Sequence, residues 1–124
     1  MQIFKNKAFS KWAAKEGLSD GALLAAVEEM ARGLVDADLG GYVFKKRVAI
    51  GGRGKSGGVR TLLAYRLGGK AFFVYGFSKS ARANISDKEL KALKLYANTL
   101  LNFSKAELNK AVKSGELIEV VSNG

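Results

Sequence analysis

The chain has 124 residues, 48% apolar and 26% charged, a net charge of +10, and neither cysteine nor histidine. That length is enough for one domain, residues 1–124, with a core of its own and no disulfide staples. Without cysteine there is no thiolate zinc site, and without histidine a Ser-His-Asp or Cys-His hydrolase is excluded. Neither a metal nor a cofactor is expected. No apolar stretch approaches the roughly 20 residues that span a bilayer, and Met1–Lys5 lacks the apolar core of a signal peptide. A cytoplasmic protein with no membrane partner is therefore expected.

The charge is unevenly placed. Residues 39–86 contain no acid and ten bases, and the rest of the chain holds eleven of each sign. The whole net charge thus lies in 48 consecutive residues. A single-sign field repels itself and attracts polyanions, and nucleic acid is the expected partner.

In chain order, Lys7–Glu16 carries Phe9, Trp12 and Ala13 at helical spacing, and Gly17 can stop the helix. Ser19 is an N-cap signal for a second helix, whose apolar stripe would be Leu23, Ala26, Val27, Met30 and Leu34. The two should form a hairpin, with Trp12 and Met30 in the core. After Gly40-Gly41 the pattern turns to strands. Tyr42–Ile50 places Phe44, Val48 and Ile50 on one face and Lys45 and Arg47 on the other. A basic glycine loop, 51–58, leads to a strand over Val59–Leu67. Gly68-Gly69 then turns the chain into a third strand, Lys70–Ser78. These short connections imply an antiparallel meander. Ser86-Asp87-Lys88-Glu89 is a capping box opening a helix with Leu90, Leu93, Ala97, Leu100 and Leu101 inward. A second box, Ser104 to Glu107, opens a short helix that ends at Gly115, and Leu117–Val121 reads as a last strand. The class expected is α+β.

Gly54-Lys55-Ser56 is not an NTPase phosphate loop. Ala49 stands where that motif needs its first glycine, and the loop leads into a strand rather than a helix. Its backbone, with Arg53 and Lys55, could still meet a phosphate backbone. Strict alternation along the third strand puts Phe73, Tyr75, Phe77 and Lys79 on one face. Phe73 is expected in the core, while Tyr75 and Phe77 could be core or could stack unpaired bases. RNA brings its own nucleophile, the 2′-hydroxyl. Arginine and lysine can stabilise charge on phosphorus, and proton transfer would fall to lysine or tyrosine.

Several strings taken together point to a family. They are Lys46-Arg47-Val48-Ala49, Gly52-Arg53-Gly54-Lys55-Ser56-Gly57-Gly58-Val59-Arg60-Thr61, and Phe73-Val74-Tyr75-Gly76-Phe77-Ser78-Lys79, followed by Asn84-Ile85-Ser86 and Glu89-Leu90. In this order they resemble the RelE-type toxins, including phage-derived and HigB-like members. The resemblance implies a RelE/ParE-like fold, in which an N-terminal helical hairpin packs on a twisted antiparallel sheet followed by C-terminal helices. It also implies a type II toxin that cleaves messenger RNA on the ribosome and is held inactive by a cognate antitoxin, a small helix-turn-helix or acidic protein. The superfamily's gyrase poisons give an alternative, a toxin that inhibits a protein target. A plain nucleic-acid-binding module is another. By resemblance and chemistry, Arg60, Lys79, Arg82 and Tyr75 form the expected catalytic set. Lys45, Lys46, Arg47, Arg53, Lys55, Arg66 and Phe77 form the expected RNA-binding set. Such toxins place a tyrosine just past the last strand, and Ser80–Ser86 has none, so Tyr65 or Tyr75 would substitute.

Overall fold

The computed structural model describes residues 1–51 and 58–121. The elements are β1 (Ile3–Asn6), α1 (Lys7–Glu16), α2 (Asp20–Ala31), β2 (Ala37–Asp38), β3 (Val43–Val48), β4 (Val59–Tyr65), β5 (Ala71–Ser78), α3 (Asp87–Leu101), α4 (Lys105–Lys113) and β6 (Leu117–Glu119). The expected α+β class is found. The six strands form one sheet in the order β2-β3-β4-β5-β1-β6.

β3, β4 and β5 are the expected antiparallel meander. β1 was not anticipated from the sequence. It runs parallel to β5 and antiparallel to β6, so the chain's first strand sits between its last two. Four residues reading Ile-Phe-Lys-Asn are too short for a periodicity to declare itself.

Both faces of the sheet are covered. On one, α1 and α2 bury Phe9, Ala13, Leu23, Val27 and Met30 against Ile3, Leu63 and Phe73. On the other, α3 and α4 bury Ala97, Leu100, Leu108 and Ala111 against Phe4, Leu62, Ala64 and Phe72. Capping boxes at Ser86 and Ser104 open α3 and α4 as read from the sequence. The expected stripe of α2 fails at its end. The helix stops at Ala31, and Leu34 is exposed.

The alternation expected of β5 also fails. Leu62 pairs with Tyr75 but Leu63 pairs with Phe73, leaving Val74 as a bulge. Phe73 therefore joins the α1–α2 core, whereas Tyr75 and Phe77 turn to the α3 face. A bulge re-aims side chains in this way and is common beside functional sites. Asn6 holds the bulge: its Nδ2 donates to the Val74 carbonyl at 3.1 Å. Its Oδ1 accepts from Phe9 N at 2.7 Å, which caps α1. Past the bulge, Gly76 lies under the Trp12 ring, and a Cβ there would come within 2.1 Å of it.

Two outcomes follow for stability. Gly76→Ala overpacks this contact and should cost about 1–3 kcal/mol in urea unfolding. Asn6→Ala should cost about 2 kcal/mol through the lost cap and the unpaired Val74 carbonyl. Asn6→Asp keeps the cap and loses only the amide donor, so it should fall between wild type and Asn6→Ala. Equal losses for Asp and Ala would show that the cap carries nothing.

Candidate nucleic-acid interface

The strand register builds the site. β3 sets Arg47 directly opposite Arg60 on β4, and β4 sets Arg60 opposite Phe77 on β5. The next row on the same face is Lys45, Leu62 and Tyr75. Two guanidinium groups opposite one another repel. Arg47 has an acid nearby: Asp36 accepts from its backbone N–H and lies 3.7 Å from its Nε. Arg60 has less relief. Its Nη1 is buried and has no hydrogen-bond partner among the described residues. A buried charged donor left unpaired is costly, and an anion seated on this face would satisfy it.

The β5–α3 connection supplies the second half. Arg82 Nε donates to the Asn84 carbonyl at 2.9 Å. Its Nη1 donates to the Tyr75 hydroxyl at 3.0 Å and to Glu89 Oε2 at 2.9 Å, and its Nη2 donates to Glu89 Oε1 at 2.6 Å. The guanidinium thus spends four of its five N–H groups inside the protein. Glu89 is also the third helical residue of the capping box, and its Oε1 accepts from Ser86 N at 2.8 Å. One carboxylate therefore starts α3 and fixes Arg82 on Tyr75. Lys79 is exposed one residue past the end of β5.

Lys45, Arg47, Arg60 and Tyr75 therefore share two neighbouring rows of one face, with Arg82 bonded to Tyr75 and Lys79 just past the end of β5. Four expectations need correcting. Lys46 is only 3% exposed and points under α2, because it shares the face of Phe44 and Val48. Its Nζ lies 2.7 Å from Glu29 Oε1 and donates to the Leu34 carbonyl at 2.9 Å. Phe77 is also 3% exposed and packs into the α3-side core, so its face is closed to a stacking base. Arg66 lies past the far end of β4, about six residues or roughly 20 Å from Arg60, with its guanidinium 4.7 Å from the Tyr42 ring. Arg82 meets a carboxylate and a phenol rather than lying open for phosphate. Arg53 and Lys55 lie outside the described residues. Of the two substitute tyrosines, Tyr65 is in the core on the α1–α2 side, edge-on to Phe44, and burial raises its hydroxyl pKa. Tyr75 is the one beside the cations.

Sequence reasoning missed Asp36 and Glu89. Glu89 was legible only as a capping residue; its second role depends on the turn that brings Arg82 back over Tyr75. Among the described residues no group of histidine, cysteine, aspartate or glutamate could hold a metal ion, and no helix is long and apolar enough to cross a membrane.

These features define a compact α+β protein with a cationic sheet face suited to a polyanion. The family of the RelE toxin of the RelE/RelB toxin-antitoxin system matches residues 1–120. The chain belongs to that family: it is the toxin of a toxin-antitoxin pair, and its partner is a cognate antitoxin. No curated protein matches the sequence.

The Arg82 hydrogen bonds, then the Ser86 N–H, hold the Glu89 carboxyl down from 4.5 to about 2. A depressed carboxyl stabilises the fold above its unfolded pKa, and that contribution is lost as pH falls through the folded value. The Arg82 clamp should therefore hold at pH 5, and its contribution to stability should fall away between about pH 4.5 and 2. Glu89→Gln should flatten this part of the acid-unfolding profile. An unchanged profile in Glu89→Gln would show that the clamp adds nothing.

Proposed function

We propose that this toxin is a metal-independent endoribonuclease that cuts messenger RNA. The observation that carries the reading is the opposed Arg47–Arg60 pair, with a buried Arg60 Nη1 that has no partner among the described residues. Such a pair suits a phosphodiester, whose charge relieves the repulsion and whose oxygen fills the empty donor.

In the reaction the 2′-oxygen of one nucleotide attacks the adjacent phosphorus. The bond from phosphorus to the 5′-oxygen breaks, leaving a 2′,3′-cyclic phosphate and a 5′-hydroxyl. Arg60, with Lys79, stabilises the extra charge on the pentavalent phosphorus. Arg47 and Lys45 hold the backbone in line. The 2′-hydroxyl gives its proton to water, and the Tyr75 hydroxyl protonates the leaving 5′-oxygen. Tyr75 suits that direction of transfer. Its oxygen already accepts from Arg82, so its own hydrogen is free to point outward. The reading makes Arg82 a positioning residue acting through Tyr75. The ribosome is the natural place for the reaction, because it presents message unpaired. Inhibition of translation follows from the cut.

Induced expression followed by primer extension on a chosen message tests this. Wild type should give discrete cuts. Arg60→Ala should lower cleavage about 10²–10³-fold, as loss of one transition-state donor does. Tyr75→Phe, lacking the hydroxyl that would give the proton, should lower it about 10²-fold. RNA binding should weaken steeply as salt rises. A toxin that makes no cuts, and whose Arg60→Ala variant stays as toxic as wild type, acts on a protein target such as gyrase instead.

A further inference from the structure

Beside Tyr75 the α3 face opens into a cleft that the proposed phosphate chemistry does not use. It has a volume of about 220 Å³ and is lined by Tyr75, Ile85, Glu89, Ala92 and Leu93. Its walls are mainly apolar, with an aromatic ring on the sheet side and aliphatic groups from α3 and the preceding turn. The volume is below the roughly 300–1,000 Å³ of sites for drug-sized ligands, so it suits one flat ring rather than a peptide or a cofactor. Tyr75 belongs both to this lining and to the cationic rows, so the cleft is continuous with the surface where a phosphodiester would lie.

We propose that this cleft receives one unpaired nucleobase of the bound RNA, next to the phosphate held by Arg47 and Arg60. The proposal rests on the RNA reading above and adds a base subsite to it. Three features favour a base as the occupant. The flanking cations require a polyanionic ligand, and in RNA the groups attached to that polyanion are flat and hydrophobic-faced. A base held here leaves water without breaking protein hydrogen bonds, since Ile85, Ala92 and Leu93 present no side-chain polar atoms. Phe77, the other aromatic expected to stack, is closed off in the core, whereas the cleft beside Tyr75 is open to a ring. The cleft would thus fix the register of the RNA, setting which phosphate lies at Arg60.

The test uses the full chain and a short fluorescein-labelled 2′-O-methyl RNA, which cannot be cut because it lacks the nucleophile. Binding is read by anisotropy at fixed salt, with one abasic position walked along the oligonucleotide. Wild type should lose roughly fivefold or more in affinity when one particular position is abasic, the loss expected for one stacked base. Ala92→Phe fills the cleft from an exposed helical position, so the fold should survive. This variant should bind the intact oligonucleotide as weakly as wild type binds the abasic one, ignore the abasic position, and keep the wild-type salt slope. Wild type that binds RNA yet tolerates abasic substitution everywhere overturns the base subsite and leaves the RNA reading standing. Ala92→Phe that remains base-sensitive overturns it too. Loss of antitoxin binding in Ala92→Phe, with RNA binding unchanged, assigns the cleft to the antitoxin instead. A wild-type protein with no salt-dependent RNA affinity overturns the RNA reading, and the subsite with it.

Discussion

The candidate site depends on the bulge at Val74 and on the side chain that holds it, Asn6. An uninterrupted β5 would send Tyr75 to the same side as Phe73, under α1, and the cations of β3 and β4 would face no phenol. The extra residue reverses the alternation, so Phe73 packs against Phe9 at 5.2 Å while Tyr75 faces Arg82. A bulge leaves a carbonyl without its ladder partner, and Asn6 supplies the donor. Because Asn6 also caps α1, the helix that carries Trp12 onto Gly76 starts from the residue that holds the bulge. Strand β1, helix α1 and the functional face are thus tied at one amide.

The described bases of residues 39–86 do not form one uniform field. The fold sorts them by register. Lys46 goes inside because alternation puts it beside Phe44 and Val48, and Glu29 meets it there. A buried ion pair of this kind is weak evidence for net stability, since desolvation offsets most of the attraction. It does fix β3 against the C-terminal end of α2. Arg66 is carried to the far end of β4 and Arg82 is taken up by Glu89. What remains at the near end is a small group of cations around Arg60, where Asp36 meets Arg47 and no described residue meets Arg60 Nη1. An unpaired, buried Arg60 Nη1 among described residues where Lys46, Arg47 and Arg82 each meet an acid is a physical argument for a ligand at that spot.

The fold was legible where its signals were local. Ser19, Ser86 and Ser104 announced helix starts through their capping oxygens, and Gly17 announced a stop through its left-handed φ of 74°. The long strands were legible from their apolar, β-prone runs and the glycines that separate them. The strand β1 was not, because its pairing with β5 joins residues about 68 positions apart and nothing in four residues reveals it. The site was legible as chemistry but not as geometry. Charge, residue type and the resemblance to the RelE-type toxins picked out Arg47, Arg60 and Tyr75. They did not separate Lys46 from Lys45, although the alternation of β3 already set Lys46 on the face of Phe44 and Val48. Nor could they reveal the bulge, which turned Phe77 into core and Tyr75 toward the cations.

Without histidine, directed proton transfer falls to lysine or tyrosine, and a free phenol on a sheet surface is poorly aimed. Here the aiming is done by a chain of fixed groups. The N-terminus of α3 needs an acceptor for its exposed N–H groups, and Glu89 provides one to Ser86. The same carboxylate grips Arg82 at both terminal nitrogens, and Arg82 takes the Tyr75 oxygen as its third contact. Occupying the phenol's acceptor side leaves its hydrogen directed away from Arg82. The helix cap and the proposed acid are therefore one network, in which ordinary demands of helix initiation orient a side chain for chemistry. That explains why Arg82, which sequence reasoning assigned to phosphate, is better placed one step back. An arginine that touched phosphate directly would add another charge to a face that already has Arg47 and Arg60. An arginine held by Glu89 adds none, and instead determines where the Tyr75 hydroxyl points.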